Sequence, residues 1–176
     1  MAQPESPRIN PLPLAIAGML IVVLFAASIA VYPELPARIP QHFGFDGRPD
    51  RWVERSLVAW LLLPIIALMV SGFVVVIASI IPRDLRLVNV PNKARLLALP
   101  AERQALVAVM VRNTLHWIVV MVLLMFAGLQ LEVYLAAMSG AATELGWLVV
   151  VWVAGVLAMV IALNARLQRL LRETSA

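Results

Sequence analysis

Residues 12–31 read LPLAIAGMLIVVLFAASIAV, twenty consecutive positions without a charged side chain. At 1.5 Å per helical residue such a run spans about 30 Å, the thickness of a bilayer's hydrocarbon core. Three more long apolar stretches follow, at about 56–81, 114–138 (with Glu132 near its end) and 145–163. Apolar residues make up 62% of the 176-residue chain and charged residues only 14%, against about 45–50% and 25% in soluble domains. The excess fits lipid as the solvent and predicts an all-α, four-helix transmembrane bundle. Residues 1–11 form a short tail carrying Pro4, Pro7 and Pro11, and 164–176 a basic one. A secretory leader is the competing reading of the first run, but twenty apolar residues exceed the roughly 7–15 of a leader's core.

Charge sets the expected orientation. Nine Lys and Arg fall on the side of the two termini and the 82–104 part of the 82–113 connection, among them Arg8, Arg83, Arg86, Lys93, Arg95 and Arg103. Four, Arg38, Arg48, Arg51 and Arg55, fall on the other side, balanced in number by Glu34, Asp46, Asp50 and Glu54. By the positive-inside bias both termini are expected in the cytoplasm. Tyr32, Trp52, Trp60, Tyr134 and Trp147 fall near the expected outer interface, as aromatic belts do. The pI near 10.6 then reflects membrane orientation, and no nucleic-acid partner is expected. With no cysteine, disulfides, thiolate metal sites and cysteine nucleophiles are excluded.

The outer insert, 32–55, is too long for a simple connection and points to a function. Pro36 and Pro40 stiffen an extended lead-in. Asp46-Gly47 suits a tight turn with positive φ at glycine. Pro49 biases Arg48 away from helix, and Asp50 is expected to cap the second helix. Ile39, Phe43, Phe45 and Trp52 are expected to pack the insert onto the bundle.

The pattern L-P-x-x-I-P-x-H-F-x-x-x-G-x-P-D-x-W, running from Leu35 through Pro36, Ile39, Pro40, His42, Phe43, Gly47, Pro49 and Asp50 to Trp52, resembles the signature of the prokaryotic membrane family known as domain of unknown function 1648. The likeness extends to the cytoplasmic connection. There Asn89, Pro91, Asn92 and Lys93, followed by Pro100 and Arg103, are similar to the family's N-x-P-N-K and P-x-x-R elements. Some members place an aromatic residue between those elements, where this chain has only Arg95, Leu96 and Leu97. The family includes an immunity protein against a sporulation-delaying toxin, so the resemblance implies a bacterial inner-membrane protein with an outer motif. It implies immunity or signalling less strongly.

Three groups of residues invite a chemical reading. His42, Asp46 and Asp50, with Glu34, could supply nitrogen and oxygen ligands to a divalent cation. The structural alternative has Asp50 as a cap, Asp46 in an Asx turn and His42 bonded to loop backbone. Arg112, Asn113 and His116 lie where the third span begins, with Arg112 and His116 on one face. They are the pathway residues if the chain is a small transporter or transporter subunit, yet no carboxylate inside a span partners His116. Arg166, Arg169 and Arg172 with Leu163, Leu167, Leu170 and Leu171 make a basic amphipathic extension suited to anionic lipid or to a docking partner. Ala26 with Ala30 and Ala154 with Ala158 offer small-residue helix contacts.

No H-E-x-x-H, G-x-S-x-G or intramembrane aspartate pair occurs. A non-enzymatic protein without a cofactor is therefore expected. Its partners are the lipid bilayer and a peptide, a membrane protein or a second copy.

Overall fold

The computed structural model describes residues 8–44, 46–80, 84–89, 92–140 and 146–173. Four long helices dominate: α1 (Leu12–Val31), α2 (Leu57–Ile80), α4 (Ala101–Ser139) and α5 (Gly146–Glu173), with a one-turn helix α3 (Lys93–Leu97) before α4. All four long helices are long and apolar enough to cross a membrane. Val22 (65% exposed), Phe73 (65%) and Val150 (67%) stand on their outer faces, an arrangement a water-solvated bundle would not tolerate but hydrocarbon accepts. This is a multi-pass membrane protein.

Helix α4 is the hub and packs against α1, α2 and α5. Its 39 residues are about 58 Å long, well beyond a bilayer core. The third helix therefore starts thirteen residues before the expected span and takes in the last part of the 82–113 connection. Pro100 at its N-cap marks where the chain can first turn into helix. Likewise α5 continues through the basic tail to Glu173.

Between lipid-solvated helices, packing and hydrogen bonds supply the specificity. Ala17, Ala67, Ala78, Ala136 and Ala137 are buried at the contacts, letting backbones approach closely. Ala26, Ala30, Ala154 and Ala158, expected in that role, are instead exposed. Their spacing is helical, but they point away from the α4 hub.

Two polar ties set the antiparallel register of α2 and α4. Arg112 Nε donates to the Ala78 carbonyl at 3.1 Å, and Gln130 Nε2 donates to the Trp60 carbonyl at 3.3 Å. They lie about 27 Å apart along the helices, close to the two faces of the hydrocarbon layer. The second tie follows from covalent structure. Pro64 lies inside α2 and has no N–H, so the carbonyl four residues earlier, that of Trp60, loses its helical donor. Gln130 supplies the replacement.

The insert between α1 and α2 is not irregular. Strands β1 (Arg38–Phe43) and β2 (Pro49–Glu54) form an antiparallel hairpin, a small sheet on an otherwise helical protein. Leu35 and Ile39 bury themselves against Trp60 and Ala137, seating the hairpin on the ends of α2 and α4. At the other end Leu167 and Leu171 of α5 pack with Val107 and Val111 of α4 and with Leu85, Val88, Leu96 and Leu99. The apolar face of the basic extension thus packs inside the protein.

Candidate functional site

The hairpin turns at residues 44–48. Gly47 N–H donates to the Gly44 carbonyl at 3.0 Å and Gly44 N–H to the Arg48 carbonyl at 2.8 Å. Gly47 takes φ 73°, where a Cβ would be strained, and Asp46 Oδ1 accepts from Arg48 N–H at 3.1 Å. These match the turn and the Asx motif expected from Asp46-Gly47. Phe45 lies outside the described residues.

Asp50 does not cap α2. It sits in β2, where its Oδ1 lies 2.6 Å from His42 Nδ1, and the capping oxygen is Ser56 Oγ, bonded to Ala59 N–H at 3.1 Å. His42 accordingly partners a carboxylate, not the loop backbone. The reason is the hairpin: Arg38 faces Glu54 and Ile39 faces Val53, and a shift in register after Pro40 sets His42 opposite Arg51 and beside Asp50, despite seven intervening positions in sequence. The pair is solvent-exposed. Asp46 turns instead toward Arg48, 3.8 Å away. Among the described residues no group of three or more His, Asp or Glu is placed to hold a metal ion.

Arg55 anchors the base of the hairpin, a role not anticipated. Its Nη1 donates to the carbonyls of Leu35 (2.5 Å) and Pro33 (3.3 Å), and its guanidinium stacks 5.4 Å from the Tyr32 ring. The backbone adds Arg55 N–H to the Ala37 carbonyl at 2.8 Å. Among the described residues the equal numbers of arginines and acids in the insert are realised as an ion pair only between Arg48 and Asp46, since Arg38 and Arg55 spend donors on carbonyls.

Beneath β1 lies a cleft of ≈ 220 Å³ between the strand, α2 and α4. Motif residues Pro40, His42 and Phe43 form one wall, and Leu63, Trp60 and Gln130 lie opposite. Pro40 is buried, Phe43 and Trp52 are half-buried, and Pro36 is exposed. Gln130 is 6% exposed, and its Oε1 has no hydrogen-bond partner among the described residues. Trp60 Nε1 donates to the Ser28 carbonyl at 2.7 Å, so α1, α2 and α4 meet at the cleft floor. Gln130 was the residue that sequence reasoning missed. Its signal was available: Pro64 orphans one carbonyl, and Gln130 is the sole carboxamide in the third apolar run.

The remaining candidates do not join this site. Asn92 adopts a left-handed conformation, φ 62°, at the start of α3, and its Nδ2 reaches Gln168 Oε1 at 3.4 Å. Asn89 is exposed and Lys93 half-buried; Pro91 lies outside the described residues. Arg112, Asn113 and His116 are neighbours in sequence with separate partners. Arg112 binds the end of α2 and Asn113 Oδ1 accepts Asn10 N–H at 3.0 Å. His116 is buried with Nδ1 unpartnered among the described residues.

The family model described as domain of unknown function (DUF1648) matches residues 19–68, the segment that holds the second half of α1, the hairpin and the first half of α2. No curated protein and no solved structure matches the chain.

Proposed function

We propose that this is a non-enzymatic bacterial inner-membrane protein, termini in the cytoplasm, whose outer hairpin binds a peptide or membrane-protein partner through the cleft beneath β1. The observation that carries the reading is the cleft itself, in which Pro40, His42 and Phe43 of the DUF1648 segment meet a buried, unsatisfied amide oxygen. Its ≈ 220 Å³ is smaller than the roughly 300–1,000 Å³ of small-molecule sites. One inserted side chain of a peptide, with a donor for Gln130, suits it better. The excess of basic residues at the terminal end supports the orientation. A photoreactive phenylalanine at position 43 tests the reading in native membranes. A discrete protein adduct at 43 and none at lipid-facing Val58 is expected, and lipid adducts alone at both positions would refute it.

A further inference from the structure

We propose that a second cleft, between α4, α5 and the start of α1, binds the phosphate headgroup of an anionic glycerophospholipid in the leaflet at the basic end. The cleft measures ≈ 420 Å³, and Asn10, Asn113, Trp117, Met159 and Arg166 are among its lining residues.

The pattern of used and unused hydrogen-bonding atoms identifies the ligand's charge. Asn113 Oδ1 accepts Asn10 N–H and Asn10 Oδ1 accepts Leu12 N–H, both at 3.0 Å. Backbone donors thus fix both amide oxygens, and each carboxamide has its NH₂ group left over. Thr114 gives its hydroxyl proton to the Met110 carbonyl at 3.0 Å. Trp117 has only a donor to offer. Arg166 forms no ion pair among the described residues. Two carboxamide donors and one cation at the mouth of a single cleft ask for an anion with several acceptor oxygens, which is the description of a phosphate.

Depth separates a lipid from a free phosphate. α4 runs inward from Met110 to Trp117 while α5 runs outward from Met159 to Arg166, so the cation and the asparagines lie at the membrane surface and Trp117 and Met159 lie deeper. A phosphodiester at the mouth would have its glycerol and acyl chains on that apolar floor. Arg169 and Arg172 follow on the same helix but do not line the cleft. Asp84 and Glu102, at the same end of the bundle, do not line the cleft.

The test uses the full chain in mild detergent and native mass spectrometry with phosphatidylglycerol, phosphatidylcholine and glycerol 3-phosphate. One phosphatidylglycerol is expected to remain bound, with phosphatidylcholine held more weakly and glycerol 3-phosphate not at all. Arg166→Gln should lower phosphatidylglycerol retention roughly fivefold, Arg166→Lys should restore most of it, and Arg172→Gln should leave it unchanged. Arg166 is exposed and forms no ion pair among the described residues, so the variants should fold as the parent does. Equal retention of both lipids, unchanged retention in Arg166→Gln, or displacement by glycerol 3-phosphate at equal concentration would overturn the proposal.

Discussion

If Gln130 serves α2 because Pro64 cannot, removing Gln130 should matter only while Pro64 is present. Both groups of the tie are buried, Trp60 at 2% exposure and Gln130 at 6%, and their bond is long at 3.3 Å. Interhelical hydrogen bonds in membranes average about 0.6 kcal/mol and reach about 1.7, and an orphaned buried carbonyl costs about 1–3 kcal/mol. Gln130→Leu, close in volume, should therefore destabilise the protein by about 1 kcal/mol. In a Pro64→Ala background residue 64 regains its N–H, which returns to the Trp60 carbonyl, and the same Gln130→Leu change should cost close to nothing. The coupling, about 1 kcal/mol, is measured by reversible unfolding in mixed micelles containing a denaturing detergent, followed by far-ultraviolet circular dichroism. The cycle removes whatever Pro64→Ala or the loss of Gln130 packing does alone. An equal loss from Gln130→Leu in both backgrounds would refute the argument.

Arg112→Met frees the Ala78 carbonyl at the negative end of the α2 dipole and should lower stability by about 1 kcal/mol, with Arg112→Lys intermediate, in the same unfolding assay. A Cβ at Gly155 would stand 2.8 Å from Met121 Cε, so Gly155→Leu should loosen α5 from α4 and Met121→Ala should restore the lost stability. Gly47→Val places a β-branched residue at φ 73° and should cost about 1–2 kcal/mol locally. Faster proteolysis within 43–49, with the helices intact, is the readout. Leu171→Ser opens the cluster formed with Leu85, Val88, Leu96 and Leu99 and should speed cleavage across 84–100 while leaving the hairpin unaffected.

The four helices were legible because hydrocarbon imposes one strong requirement, an uncharged run long enough to cross, and LPLAIAGMLIVVLFAASIAV meets it without reference to any neighbour. Helix ends were less legible. Once outside the bilayer, α4 continues on ordinary helix propensity through 101–113, and no composition change marks that. The hairpin was hidden by Pro36, Pro40 and Pro49, residues that argue against a central strand but are admissible in a two-stranded ribbon with irregular register between Pro40 and Phe43. With the hairpin unseen, Asp50 fell into the cap position that Ser56 occupies, and its cross-strand meeting with His42 could not be anticipated. The turn at Asp46-Gly47 was readable because it depends on local backbone geometry alone.

The segment matched by the DUF1648 model, 19–68, closes most of its hydrogen bonds on itself. Trp60 Nε1 reaches back to the Ser28 carbonyl, Arg55 to the Leu35 carbonyl, and the strands pair with each other. Pro64, four residues before its end, opens one carbonyl that nothing inside the segment fills. Gln130 of α4 fills it and is at once the floor of the cleft that the segment's own Pro40, His42 and Phe43 enclose. The matched segment therefore supplies most of the cleft's lining, and Leu129, Gln130 and Val133 of α4, a helix that the family model does not cover, close it.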